Sequence, residues 1–481
     1  MNRSTPSRKN PMIRPASLLV LSAALIASGC SLMPVYERPA LPVPPTYPAA
    51  QDGAPAQTAA DIDWRDFYAD ARLRRTIELA LDNNRDLRVA VLNIESARAT
   101  YRIQRAELFP AVDASGGGNA QRTPAALGQT GSATISHQYT AGVGIAGYEI
   151  DLFGRVRSLT EQALHSYFAT ESARYGVQIS LVAEVANAWL TLAADRERLA
   201  LAESTLASRN ESLALTQRRA DLGAASLLAV SQAQSLVDGA RSEVASYRAQ
   251  VMQDRNALAL LAGTPVPDDL LPERLSDSLN ALPELPAGVP SQLLERRPDV
   301  RQAESQLEAA NANIGAARAA FFPRITLTAQ AGSASASLGD LFGAGSGAWS
   351  FAPTITLPIF NAGALDANLK GAEVGRDIQV AQYEKAIQSA FREVADALAV
   401  RSKVGNRLDA QASLVQASSQ SLQLSQARFD KGVDSYLEVL DSQRSLYVAQ
   451  QALIGTRLDR LANSVTLYKA LGGGWSAATS S

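Results

Sequence analysis

The stretch "ARFDKGVDSYLEVLDSQR", Ala427–Arg444, decides how this chain folds. A proline-free helical pattern runs into it from Gly363, stops at Gly432, and restarts with Glu438 and Asp441 on one face. A cousin, "RRADLGAASLLAVSQAQS", occupies Arg218–Ser235 and lacks the two acids, with Ala229 and Gln232 in their places. Both stretches carry an arginine four residues before the glycine: Arg219 before Gly223 and Arg428 before Gly432. Glycine at a helix end supplies the left-handed conformation that turns the chain. Ser226 and Ser435 then stand just before the apolar restart, where a hydroxyl can cap the next helix. Each stretch therefore reads as the tip of a helical hairpin. Two tips with one signature belong at one end of the molecule and make a candidate docking surface. Its residues are Arg219, Gly223, Ser226, Arg428, Gly432 and Ser435.

The likeness extends outward. "NNRDLRVAVLNIESARATYRIQRAELFP" (Asn83–Pro110) matches "RRPDVRQAESQLEAANANIGAARAAFFP" (Arg296–Pro323), pairing Asp86 with Asp299, Arg105 with Arg318 and Pro110 with Pro323. Each pair has the same spacing, so the chain is a tandem duplication, with a period far too long for a solenoid. Each half reads as helix, strand pair, very long helix, sharp turn and returning helix. Proline ends the first helix. No proline interrupts Gly154–Gly223 or Gly363–Gly432, and 60 to 70 helical residues at about 1.5 Å rise span on the order of 100 Å. Alanine-rich pairing of such helices reads as antiparallel coiled coil.

Strand signals fall at about 110–153 and 323–360. In "PRITLTAQ", Ile325, Leu327 and Ala329 share one face, against Arg324, Thr326, Thr328 and Gln330. In "SFAPTITLPIF", Phe351, Ile355, Leu357 and Ile359 share the apolar face. "SGGGNAQRTPAALGQTGSAT" and "AGSASASLGDLFGAGSG" read as the loops between paired strands. Four strands with one apolar and one polar face cannot close a barrel, and open sheet edges are not tolerated in lipid. Three copies would close a twelve-stranded transmembrane barrel.

The leader places the chain outside the cytoplasm. Arg3, Arg8, Lys9 and Arg14 precede the apolar run "ASLLVLSAALIAS", too short to span a bilayer, and then Gly29-Cys30. A small-residue pair before the only cysteine is a lipobox, with Ala27 where leucine is usual. Cleavage would leave Cys30 for lipid, and Ser31 rather than aspartate suits the outer membrane. The organisation expected is 1–29 signal peptide, 30–63 extended lipidated segment, 64–270 first repeat, 271–290 proline-rich link, 291–472 second repeat and 473–481 tail.

Other chemistry is missing. The near balance of 45 basic and 47 acidic residues offers no basic patch for nucleic acid. Two histidines and one cysteine make neither a zinc cluster nor a disulfide. Gly142–Gly147 fits G-x-G-x-x-G but lies inside a strand-like run, not between a strand and a helix. His137 and His165 have no matching partners, and no catalytic, cofactor or metal site is expected.

Blocks along the whole mature chain resemble one family. They are "CSLMPVYERP" from Cys30, "WRDFYADARLRRTIELALDNNRDLRVA" from Trp64, "YEIDLFGRVR" from Tyr148, "LLERRPDVRQAE" from Leu293, "FFPRITLT" from Phe321, and the stretch quoted first. Together they are similar to the TolC/OprM-type outer membrane factors, the NodT-type efflux lipoproteins. The resemblance implies a homotrimer in the outer membrane, with its barrel in lipid and a tunnel of helices in the periplasm. It implies a periplasmic adaptor docked on the tips and an inner-membrane pump of the resistance-nodulation-division type. It implies that Glu438 and Asp441 point into a narrow periplasmic entrance as a gate. The function expected is a passive exit duct for small molecules. The alternative is a periplasmic coiled-coil lipoprotein that tethers without a pore, but a tether has no use for the strand pairs. The alternative for the acid pair is a solvated face, with Asp441 paired to Arg444.

Overall fold

The computed structural model describes residues 31–47, 62–127, 131–275, 285 and 296–475. Cys30, the leader, most of the 271–290 link and residues 476–481 lie outside the described residues. The elements run in chain order as α1 (Trp64–Phe67), α2 (Ala71–Asn83), α3 (Arg85–Ala106), β1 (Asp113–Thr123), β2 (Thr134–Glu149), α4 (Arg155–Asp221), α5 (Leu227–Ala262), α6 (Pro298–Ala319), β3 (Arg324–Ser335), β4 (Gly347–Thr356), α7 (Ala364–Asp430) and α8 (Tyr436–Ala470). The duplication is visible in the lengths. Helices α3 and α6 have 22 residues each, α4 and α7 have 67 each, and α5 and α8 have 36 and 35.

The chain forms two compact units, and each takes part of both repeats. One comprises Met1–Pro39, Glu95–Ala169 and Glu304–Gln382. It holds the sheet, whose order is β1-β2-β3-β4 with every neighbour antiparallel. Register aligns Val143 with Ala331 and Ala331 with Trp349, and likewise Ile145 with Ala329 and Ala329 with Phe351. Ile135, Val143, Trp349, Phe351 and Ile355 are thus large apolar side chains on one face, all exposed. Gln330, Thr326, Ser350 and Thr354 occupy the other, so the alternation expected from the sequence is present.

The loops were placed differently by the sequence. "SGGGNAQRT" is strand, not loop, because Gly116, Gly117 and Gly118 pair with Ala141, Thr140 and Tyr139 of β2. A Cβ on Gly118 would lie 3.2 Å from the Tyr139 ring, so that ring covers the strand that glycine leaves bare. In the second repeat β3 runs on through "AGSAS" to Ser335, held by β2 and β4. Pairing outweighs the low strand propensity of glycine and serine here. Conversely, Leu357 and Ile359 lie beyond β4, which ends at Thr356 where Pro358 cannot continue the ladder. Gly147, at φ 67°, sits in the bulge between Ile145 and Tyr148 and donates its N–H to Thr328 Oγ1 at 3.2 Å. The G-x-G-x-x-G match is therefore the inner part of β2.

In the same unit the segment after Cys30 is strapped along α6 in the opposite direction. Arg318 donates to the Leu32 carbonyl at 3.5 Å, Asn311 to the Pro34 carbonyl at 2.8 Å, and Tyr36 and Arg38 both reach Glu304. Gly315 makes room for this strap, since a Cβ there would lie 2.9 Å from Met33 Cα.

The second unit comprises Ala40–Ile94, Thr170–Ala303 and Tyr383–Ser481. Its aromatic centre stacks Phe67 on Tyr468 with ring centroids 4.0 Å apart, and the Tyr468 hydroxyl donates to the Ile62 carbonyl at 2.6 Å. Trp189, fully buried on α4, donates its indole N–H to the Leu270 carbonyl at 3.0 Å. Buried groups of this size dominate the hydrophobic stabilisation of a helical unit. The α4–α5 and α7–α8 turns belong to this unit.

Candidate docking tips and gate

Both hairpin tips use one backbone device. Gly223 (φ 71°) donates to the Ala220 carbonyl at 2.9 Å and Ala224 to the Arg219 carbonyl at 2.7 Å. Gly432 (φ 73°) donates to the Phe429 carbonyl and Val433 to the Arg428 carbonyl, each at 2.9 Å. These paired bonds are the Schellman motif, and they satisfy carbonyls the helix end would otherwise strand. A Cβ on either glycine would meet nothing within 4 Å, so glycine is required there for its φ and not for space.

The restarts differ. Ser226 caps α5, its hydroxyl accepting from Ala229 N at 3.2 Å. Ser435 holds the cap position of α8, but its hydroxyl accepts no backbone N–H; Glu438 N instead reaches the Ser435 carbonyl at 3.3 Å. A tighter three-residue turn therefore replaces the side-chain cap expected there.

The structure brings the two tips together through Arg219. The Arg219 guanidinium lies over the Phe429 ring, 4.8 Å from its centroid, and 4.0 Å from the Asp430 carboxylate. Arg428 turns onto its own hairpin and grips Asp434 with two N–H groups, one at 2.8 Å. That hydrogen bond raises the Arg428 pKa and lowers that of Asp434. An exposed pair of this kind orders the turn more than it stabilises the fold. Phe429 packs on Tyr436 at 5.1 Å. Sequence comparison of the tips missed Phe429, Asp434 and Tyr436; the signal was their replacement by Ala220, Ala225 and Leu227 in the first repeat. The exposed apolar side chains are Leu222, Leu227 and Leu228 on one tip, and Val433 and Leu437 on the other.

Glu438 and Asp441 follow on α8, and both are exposed. Asp441 pairs with Arg444 one turn on. No ion pair engages Glu438 among the described residues, so it is the acid with undiminished charge. Nor, among the described residues, do three or more His, Cys, Asp or Glu side chains gather into a metal-binding set.

The sequence profile of the outer membrane efflux protein family matches residues 76–264 and 289–473, one segment in each repeat. The chain belongs to the outer membrane efflux protein family. Two curated relatives from Pseudomonas putida, the toluene efflux pump outer membrane protein TtgC and the antibiotic efflux pump outer membrane protein ArpC, are each 52% identical over 464 residues, covering 95% of this chain and 96% of theirs. The crystal structure of the open state of the Neisseria gonorrhoeae MtrE outer membrane channel superposes with a TM-score of 0.83 at 40% identity, covering 92% of this chain and 98% of that one. Members of the family are channels and not enzymes, and this chain has the TolC-type fold. It is the outer membrane channel of an efflux system.

Proposed function

We propose that this channel works as a homotrimer, anchored by lipid on Cys30, as the exit duct of a tripartite pump. Its partners are a periplasmic adaptor and a resistance-nodulation-division pump in the inner membrane. Its cargo is apolar or amphipathic small molecules, as the names of TtgC and ArpC suggest for those relatives. The observation that carries the trimer is the two-faced sheet whose outer strands, β1 and β4, each have one neighbour. Unpaired edge groups in lipid cost several kcal/mol each, roughly, so further copies must cover them. Native mass spectrometry of detergent-extracted protein should give three chains. A monomer that conducts in planar bilayers would overturn the assignment.

The strap supports the anchor reading. It runs so that Leu32 lies at Arg318, near the end of α6 that leads into β3. A lipid on Cys30, two residues before Leu32, would sit beside the base of the sheet. Cys30→Ser should abolish acylation and lower membrane retention, while the strap contacts still allow the helices to fold. Mass spectrometry of a wild-type mature N-terminus with an unmodified cysteine would reject the anchor.

Docking is assigned to the tips, through the exposed leucines and Val433 on the platform that Arg219 holds together and Arg428 orders. Gly432→Val places a Cβ in open space but in a left-handed turn, at about 1–2 kcal/mol. The trimer should therefore assemble while adaptor crosslinking and efflux fall. Lost assembly with undiminished crosslinking in the remaining trimers would remove the tip from docking. The gate is assigned to Glu438 and Asp441, lining the entrance in threefold rings.

A further inference from the structure

Arg297 lies in neither the tips nor the gate, yet it is among the more deeply buried charges in the chain, with 7% of its surface exposed. One guanidinium reaches three helices. Its Nε and Nη2 pair with Asp299 in the first turn of α6 at 2.9 and 2.7 Å. Its Nη1 donates to Glu393 of α7 at 2.8 Å and to the Ala470 carbonyl, the last residue of α8, at 3.0 Å. A cation on that terminal carbonyl also complements the negative end of the α8 dipole. The backbone closes over this junction. Gly472, at φ 80°, would place a Cβ 3.0 Å from the Arg296 carbonyl, and Trp475 donates to that same oxygen at 3.1 Å.

The first repeat has the same junction in neutral form. The position of Arg297 is held by Asn84, which caps α3 by accepting from Leu87 N at 2.9 Å and donates to the Leu261 carbonyl near the end of α5, also at 2.9 Å. Asp86 and Glu184 stand where the second repeat has Asp299 and Glu393, but no ion pair engages either among the described residues. Asn84 therefore ties the returning helix α5 to α3 and leaves α4 untied. Among the described residues, only the second hairpin has both arms fastened at the root by one side chain.

We propose that Arg297 is the positioning residue of the α7–α8 hairpin: it fastens both arms to α6, so that they tilt as one body and hold the tip at a fixed place. Leverage makes this consequential. Helix α8 has 35 residues, about 50 Å of helix, so about 5° of play at Arg297 displaces the tip by about 4–5 Å. That is the scale on which facing side chains at a narrow entrance meet or part. The first hairpin, held by one amide, has no such requirement. The consequence for transport rests on reading Glu438 and Asp441 as the gate, whereas the control of tip position does not.

The test measures tip position directly. Nitroxides on Leu222→Cys and Val433→Cys, in purified full-length protein diluted with unlabelled chains, report the separation of the two tips by electron spin resonance. Arg297→Met should roughly double the width of the distance distribution, as expected when a rigid element loses its tie. Arg297→Lys should not restore it, because a single ammonium cannot present a planar fork to three acceptors. Asn84→Ala should leave the width unchanged. An Arg297→Met protein that melts earlier but keeps the wild-type distribution would reduce Arg297 to a stabilising residue and overturn the proposal. If Arg297→Met does not assemble, Glu393→Gln removes the α7 arm alone: a broadened distribution supports the proposal and an unchanged one overturns it. Conductance is recorded on the same samples beside the Glu438→Ala, Asp441→Ala double variant. A broadened tip with unaltered conductance in both proteins would keep Arg297 in its role and remove the acids from the gate.

Discussion

Channels carrying Glu438→Ala with Asp441→Ala are expected to conduct about twice as well in planar bilayers and to need roughly tenfold more divalent cation for half block, tenfold being about 1.4 kcal/mol of lost binding. Two facts divide the effect between the residues. Glu438 is exposed in the first turn of α8 with no ion-pair partner among the described residues, while Asp441 shares its charge with Arg444. In the proposed trimer, Glu438 would make a ring of three carboxylates with no ion-pair partner among the described residues. Two unit charges about 4 Å apart in water repel by about 1 kcal/mol, falling with salt, and a divalent cation between them relieves that repulsion. The single variant Glu438→Ala should therefore account for most of the loss of block. Asp441→Ala alone should act weakly, since it frees Arg444 as it removes the acid. The competing role for Glu438 is local, because an acid in the first turn favours the helix dipole by about 0.3–1 kcal/mol. Glu438→Gln separates the two roles: it keeps the side-chain volume, so a lower melting temperature with wild-type block would make the residue a helix-end acid only. Unchanged conductance and block in an assembled double variant would remove both residues from the gate.

Much of this architecture was legible because helices and their ends are written locally. Arg-x-x-x-Gly followed by serine marked both tips, and the spacing of Asp86 from Asp299 and of Gly223 from Gly432 gave the duplication that the equal helix lengths display. The strands were legible only where side chains alternate. "PRITLTAQ" shows its two faces in the sequence, but "SGGGNAQRT" reads as loop, because what makes it strand is pairing with β2 and the cover that the Tyr139 ring gives Gly118. The same limit hid the tip contacts. Arg428 with Asp434 is a short-range pair that the turn must first create, and Arg219 over Phe429 joins two repeats distant in sequence. Ser435 shows the converse: the residue suited to a cap was present, but the backbone supplied the bond instead. Arg297 stood in a quoted motif without a role, since nothing near it in sequence announces the carbonyl of Ala470.

Gly332→Val is expected to remove the folded channel from the outer membrane, whereas Gly347→Val, also a glycine of the sheet, is expected to be tolerated. Gly332 of β3 stands opposite Gly142 of β2. A Cβ added there would run into the Ala141 carbonyl oxygen and the Gly142 Cα. Gly142 has the mirror problem, with the Ala331 carbonyl oxygen 2.7 Å from its own ideal Cβ. Both obstacles are backbone, so no rotamer change relieves them; the strands must part or slip. Parting breaks ladder hydrogen bonds that lipid cannot replace, and slipping by one residue sends either Val143 of β2, or Trp349 of β4 together with Gln330 of β3, to the wrong face. Overpacking usually costs about 1–3 kcal/mol, and a sheet that can neither part nor slip belongs at or above the upper end of that range. At Gly347 a Cβ finds nothing within 4 Å and φ is ordinary, so valine adds strand propensity without a collision. Heat-modifiable migration on unboiled gels, together with the outer membrane yield of each variant, decides the matter. Equal yields from Gly332→Val and Gly347→Val would mean that the β2–β3 contact is looser than these distances require.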